Sequence, residues 1–402
     1  MRILLYECRK ILSIRLLLIV LLFSFLFYHL FLSYRYYPDA SADMVAEKQL
    51  CDNLIAQTGY SLSLDQWDLI DAQKEKSILK LNQLVQDSKI LQSYHIDTYQ
   101  QLRDKLDQML DGSSNETYIK EIDEEAANIV FGAGMEDVFL LQQINDWEIE
   151  KNFYRQDANQ LKEDFNHFFE YEDVTDASYK RYIELFSKDS ISLLPSSIFD
   201  VTSEDFPMIG ILMLISCTIV ILPYFIKEKN QDIYQVSIAS KTGRCIYSIQ
   251  WKAALLVCIL LCILQIMVYL GALSSVGILS YLSAPTNTIR RTALWYDISF
   301  GTYLLLYSAL LLFLVVGCMN IIILLSRISN HYMIGCALAL PILYGIGRIF
   351  LYSISSFLMY YGTSASEISY KRPILLLIGS SLIAIIIIVR FAHKDKRMDV
   401  VW

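Results

Sequence analysis

Six apolar runs, at about 16–34, 206–226, 253–281, 298–325, 331–357 and 373–392, constrain this chain more than any other feature. Each is near or above the ~20 residues a helix needs to cross a ~30 Å hydrocarbon layer. The third, fourth and fifth are long enough to require tilt, or helix continuing beyond the bilayer. A chain of 402 residues with 54% hydrophobic content and a mean hydropathy of +0.38 is not expected to be soluble. The expected fold is an all-α polytopic membrane protein, with six transmembrane helices and a helical extracellular domain inserted between the first and second.

The net charge of −8 is unevenly distributed. Residues 34–205 hold 35 acidic and 15 basic side chains, and the remainder holds 7 and 19. An acidic soluble domain thus separates from a basic membrane portion, and such acidity argues against nucleic acid as a partner of the soluble domain. Basic residues gather in the leader (Arg2, Arg9, Lys10, Arg15), in the 227–252 loop (Lys227, Lys229, Lys241, Arg244, Lys252) and in the 393–402 tail. With six spans these fall on one side together with Arg327, and the positive-inside rule makes that side cytoplasmic. Both termini are then cytoplasmic and residues 35–205 extracellular. Arg290, Arg291, Lys371 and Arg372 count against this orientation but are fewer. Of eight cysteines only Cys51 lies in the outer domain, so its fold must rest on an apolar core rather than disulfides. This suits a bacterial cytoplasmic membrane, and leaves the Asn115-Glu116-Thr117 sequon without meaning there. The first span, followed by Ala40-Ser41-Ala42, has the outline of a signal peptide. Its apolar stretch is longer than a usual signal core, so it reads as an uncleaved anchor.

Residues 1–15 place Leu4, Leu5, Cys8, Ile11 and Leu12 at helical spacing, with Glu7, Arg9 and Lys10 elsewhere around the helix. An amphipathic helix in the inner interface is expected, an extension of the first span being the alternative. The outer domain reads as helical throughout, with no convincing strand. Ser63-Leu64-Asp65-Gln66 forms a capping box ahead of Ile78, Leu81, Leu84 and Val85. A second helix from near Asp97 carries Leu102, Leu106 and Met109 to a stop at Gly112. A third carries Ile119, Ile122, Ala126 and Ile129, and breaks at Phe131-Gly132-Ala133-Gly134. A long helical pattern then runs from Met135 to about Tyr171, and another helix covers Ala177–Phe186.

Catalytic and nucleotide-binding signatures are missing from the sequence. No two glycines have the phosphate-loop spacing, the five histidines are scattered, and no zinc spacing or nucleophile elbow occurs. The chain is therefore expected not to be an enzyme and to bind no cofactor of its own. Polar groups within spans are weighed individually because burying them in lipid is costly. Arg348, in Gly345-Ile346-Gly347-Arg348, either lines a polar path or snorkels to the outer interface. Gln265 either faces a cavity or bonds between helices, as does Asn320.

The loop between the second and third spans is longer than a turn needs. Ile233, Val236, Ser237 and Ser240 follow helical spacing before a basic stop at Lys241-Thr242-Gly243-Arg244. Such a short amphipathic helix would expose Asp232, Gln235 and Lys241, a shape suited to docking a soluble partner. The order is an amphipathic leader, a first span, a large outer insertion, a second span ending in Lys227-Glu228-Lys229, then Gly243-Arg244 and Lys252. This order resembles the permease subunit of ABC-2-type ATP-binding-cassette transporters, in the branch whose outer domain lies between spans one and two.

The resemblance covers the membrane portion as architecture, and about 25 residues around Glu228–Lys252 plus the leader as motif. It implies a homodimer or heterodimer of permease copies in membrane lipid, bound to two cytoplasmic ATPase subunits that carry ATP and Mg. It further implies that Glu228, Asp232, Ile233, Gln235, Val236, Ser240, Lys241, Gly243 and Arg244 dock the ATPase. Glu7, Arg9 and Lys10 would belong to an interfacial connector helix, and a re-entrant segment would lie near 353–372. The implied function is export of a peptide, antimicrobial, drug or lipid-like substrate. Two other readings remain: a sensor or mechanical transmitter whose outer domain is moved while nothing crosses, and a membrane-anchored receptor with no ATPase.

Overall fold

The computed structural model describes residues 2–32, 42–110, 119–154, 159–161, 163, 176–230, 246–288, 296–329, 331–354 and 364–397. Helix α1 covers Arg2–Ile11 and α2 covers Ile14–Phe31. The inserted lobe follows, with α3 (Ala42–Thr58), α4 (Asp68–Asp87), α5 (Lys89–Ser93), α6 (Tyr99–Leu110), α7 (Lys120–Asn128), α8 (Met135–Tyr154) and α9 (Asp176–Phe186). The bundle is completed by α10 (Ser196–Asn230), α11 (Ile246–Ser275), α12 (Phe300–Ile328), α13 (Tyr332–Ile349) and α14 (Ser364–Arg397). Six helical stretches are long and apolar enough to cross a membrane, so the chain is a multi-pass, all-α membrane protein.

The centre of the bundle is α10. Its most apolar window is 78% buried, against 11% for α2, which packs on its flank. The 35 residues of α10 extend about 52 Å at 1.5 Å per residue, well beyond a ~30 Å hydrocarbon layer. The second apolar run thus marks only part of this helix, whose first turns, Ser196–Asp205, are too polar to register as span. The third run fails in the opposite direction. Ile278, Leu279 and Tyr281 continue its hydropathy, but α11 stops at Ser275. Gly277 there takes φ +78, a left-handed conformation that ends a helix and suits glycine.

The lobe also departs from the all-helix expectation. Ser61–Ser63 (β1) and Ser190–Ser192 (β2) pair antiparallel, with Leu62 opposite Ile191 and both buried. Three-residue strands are too short to show alternation in sequence. Beyond β1 the expected capping box is present: Gln66 Oε1 accepts from the Ser63 backbone N–H at 3.2 Å, and the Ser63 side chain faces the Gln66 backbone N–H in return. Two tiers of core hold the lobe. Its distal tier packs Leu81, Val85, Leu102, Ile122, Ala126 and Ile129. Its base, including Leu50, Leu54, Trp67 and Trp147, belongs to the same apolar core as the bundle. The break between α7 and α8 falls at the glycine pair, where Gly132 leaves helical geometry. Gly134 is required by close approach, since a Cβ there would lie 2.8 Å from Leu81 Cδ2 and 2.9 Å from the Ile129 carbonyl oxygen.

Helix α3 fastens the lobe to the bundle. Glu47 is buried and accepts from the backbone N–H of Ser196 (2.9 Å) and Ser197 (3.1 Å), and from both hydroxyls (2.8 and 2.6 Å). These bonds satisfy donors that the first turn of α10 would otherwise leave unpaired. Lys48 donates to the Val276 carbonyl at 3.0 Å, and Tyr281 donates its hydroxyl to Asp52 Oδ1 at 2.5 Å. The lobe is therefore joined to the bundle at the end opposite α1. Of the expected re-entrant segment, residues 355–363 lie outside the described residues, and the chain from Ser364 onward forms one helix with the sixth span.

Candidate functional site

The end of the bundle that carries α1 concentrates the sequence-predicted residues. One face of α1 turns Glu7, Cys8 and Ile11 inward, while Ile3, Leu5 and Tyr6 are exposed. The sequence pattern put Leu5 on the apolar face and Glu7 off it, so the observed rotation corrects both. Glu7 is tolerated inside because Tyr224, on the last turns of α10, donates its hydroxyl to Glu7 Oε2. Cys8 Sγ lies 3.8 Å from the Ala253 carbonyl oxygen of α11.

One turn after Glu7, Lys10 Nζ donates to Glu228 Oε1 at 3.0 Å and lies 3.6 Å from Glu7 Oε1. The other Glu228 oxygen accepts from Gln250 Nε2 of α11 at 3.3 Å. Partial burial works against the charge on Lys10. The hydrogen bond to Glu228 and the nearby Glu7 outweigh it and hold the ammonium above its ordinary pKa. Thus α1, the end of α10 and the start of α11 form one cross-braced platform. Arg9 is exposed beside it. Residues 231–245 connect α10 to α11 at this platform. They include Asp232, Ile233, Gln235, Val236, Ser240, Lys241, Gly243 and Arg244, and all lie outside the described residues.

Beside the platform is a cavity of about 240 Å³ between the ends of α10, α11 and α12. Its polar wall is made by Glu228, Lys229, Tyr247, Gln250 and Arg327. Lys229 Nζ donates to the Arg327 carbonyl at 2.8 Å and lies 3.3 and 3.5 Å from the carbonyls of Ile328 and Ser329, closing the last turn of α12. The Arg327 guanidinium stacks 3.8 Å from the centroid of Tyr247 and 4.7 Å from that of Phe391 on α14. Deeper in, Trp251 Nε1 donates to Asn320 Oδ1 at 2.9 Å.

Elsewhere the intramembrane candidates separate. Gln265 Nε2 donates to Ser216 Oγ at 2.8 Å and to Ser24 Oγ at 3.4 Å, pinning α2 and α10 to α11. Arg348 is exposed on the outward side of α13, among exposed Tyr344 and Tyr352. Neither joins the α1-end cluster. The sequence reading gave no site role to Tyr224, Gln250, Tyr247 or Arg327. Tyr224 precedes Glu228 by four residues and so shares its helix face, a signal available in principle. The partners on α11 and α12 have no local signature. Among the described residues no group of three or more metal-ligating side chains occurs. No family model, no curated protein and no solved structure matches this chain.

Proposed function

We propose that the chain is the membrane-spanning permease subunit of a bacterial ABC-2-type exporter, coupling ATP hydrolysis in a separate subunit to export of a substrate. The observation that carries this reading is the platform of Glu7, Lys10, Tyr224, Glu228 and Gln250. It braces an amphipathic leader against both helices that flank the 231–245 loop. Force applied to such a loop by a cytoplasmic ATPase would enter α10 and α11 together rather than bend a tether. The positive-inside rule favours a cytoplasmic α1 end, which puts the acidic lobe outside. The exposed apolar faces of α2 and α13 are compatible with lipid or a second permease copy. On this reading the chain itself is not catalytic, and ATP with Mg belongs to the partner.

A second reading, a mechanical transmitter through which nothing passes, has its own support. Helix α10 runs unbroken from the Glu47 clamp under the lobe to the Glu228 brace. Co-purification separates a coupled membrane subunit from a stand-alone receptor. The chain is expressed with the ATPase encoded beside it, and wild type is compared with Glu228→Ala and Arg244→Ala. Retention of the ATPase by wild type and its loss from folded variants is the expected result. Failure of wild type to retain any ATPase would refute both ATP-driven readings. Substrate-dependent stimulation of ATP hydrolysis in proteoliposomes, with uptake into inverted vesicles, then distinguishes export from transmission.

A further inference from the structure

We propose that Cys217 of α10 and Cys262 of α11 are a redox pair, which hydrogen peroxide oxidises to a disulfide that locks the axis of the bundle to its neighbour. The inference is independent of the transporter reading. Both thiols are free and fully buried, and their Sγ atoms lie 3.8 Å apart. A disulfide needs about 2.05 Å, so each side chain has to yield only about 0.9 Å. Hydrogen bonds on either side of the pair hold the two helices in register. Ser216, next to Cys217, accepts from Gln265 of α11 at 2.8 Å. Toward the α1 end, Gln250 of α11 donates to Glu228 of α10 at 3.3 Å. About 16–18 Å of helix separates Cys217 from Glu228 and Cys262 from Gln250, at ~1.5 Å per residue. The two thiols therefore meet deep in the bundle, between two fixed points.

The chemistry balances with one peroxide per pair. In the first step one thiol takes a peroxide oxygen. An S–O bond forms, the O–O bond breaks, and the thiol proton leaves with the other oxygen as water. In the second step the partner thiol attacks that sulfur. The S–S bond forms, the S–O bond breaks, and a second water leaves. The two sulfurs together lose the two electrons that the peroxide gains. Thiols and disulfide are all uncharged, so an apolar interior accommodates the pair before and after oxidation. Burial selects the oxidant: a small neutral peroxide can enter the helix packing, whereas charged, bulky glutathione disulfide cannot. Thiol oxidation follows exposure, so the pair responds to sustained rather than brief oxidation. The competitor is Cys258, one turn before Cys262, whose carbonyl oxygen lies 4.0 Å from Cys217 Sγ.

The test exposes the full chain in membranes to hydrogen peroxide or to glutathione disulfide. Remaining thiols are then alkylated, and linked peptides are identified by mass spectrometry. Peroxide is expected to join Cys217 to Cys262 in most of the protein, reversibly on addition of dithiothreitol, and glutathione disulfide to do so at least tenfold less. Cys217→Ala and Cys262→Ala should each abolish the linkage, while Cys258→Ala should leave it intact. In detergent the linked protein should melt at a higher temperature than the reduced protein, and return to the lower value on reduction. Recovery of both thiols unlinked after peroxide, or linkage mainly between Cys217 and Cys258, overturns the proposal. Equal linkage by glutathione disulfide overturns peroxide as the selected oxidant, and an unchanged melting temperature in fully linked protein overturns the lock. The linkage is read on wild type, so a variant that does not fold leaves the outcome decided.

Discussion

Separating α1 from the platform should expose Cys8, and the energy involved can be worked from one ion pair. Lys10 Nζ and Glu228 Oε1 are 3.0 Å apart, with side-chain exposures of 32% and 13%. Coulomb attraction at that distance is roughly 5 kcal/mol at an effective dielectric of ~20 and roughly 1.4 kcal/mol in bulk water. A third of the lysine is in solvent and both groups lose hydration, so a coupling energy of about 1–2 kcal/mol is expected. That corresponds to a factor of ~5–30 in the population of the released helix. Cys8 is buried on the inward face of α1, where burial and the charge of Glu7 push its thiol pKa up. It should therefore react with a maleimide mainly from the released state. Labelling at Cys8, followed by peptide mass spectrometry, is expected to quicken ~5–30-fold in Lys10→Met and in Glu228→Gln. The double variant should exceed neither single variant by more than about twofold. Strictly multiplicative effects, or wild-type rates in both single variants, would refute the idea that this pair holds the helix.

Glu47→Ala removes four hydrogen bonds from the start of α10. It should cost about 1–2 kcal/mol, read as faster hydrogen exchange at Ser196 and Ser197, with Glu47→Asp unable to rescue fully. Gly210→Ala is expected to lower the melting temperature through ~1–3 kcal/mol of overpacking, because its Cβ would lie 2.6 Å from Phe350 and 2.9 Å from Leu311. Gly345→Ala, with nothing within 4 Å, is the matched control and should not destabilise. Asp297 loses hydration, which raises its pKa, but Lys188 (2.9 Å), Arg181 (2.8 Å) and Asn287 outweigh this and hold the carboxyl down to about 2. A depressed carboxyl pKa stabilises the fold above the unfolded value near 3.8. That contribution should fade as pH falls from about 4 through about 2. Proteolysis after Arg181 and Lys188 by an acid-tolerant protease should rise over that window in wild type, and be already raised at pH 5 in Asp297→Asn.

Much of the lobe was legible because its helices obey local rules. The three- and four-residue spacing of apolar residues along α4, α6 and α7 predicted the distal core, and the glycine pair predicted the break before α8. The β1–β2 pair was not legible, since its two strands are three residues long and more than a hundred residues apart in the chain. At the α1 end, periodicity located the leader helix but misjudged its rotation. A scale of hydrophobicity ranks Leu5 above Glu7 for burial. The fold reverses them because Tyr224 offers Glu7 a hydrogen bond, whereas Leu5 has exposed apolar surface to share. Likewise Glu228 was found as a charged position, but not as the centre of a bridge.

What the sequence by itself determined is that six segments are long and apolar enough to cross a membrane, that an acidic insertion is separate from a basic apolar portion, and that the leader is amphipathic. These follow from composition and from periods of a few residues, which act along one helix at a time. The tertiary structure alone decided that α10 is the buried axis of the bundle. It also decided that Glu47 and Glu228 engage opposite ends of that helix, and that Lys229 and Arg327 line a common cavity. The reason is physical. The energy of a buried carboxylate or cation depends on which groups other helices bring within about 3–4 Å, and no local pattern carries that information.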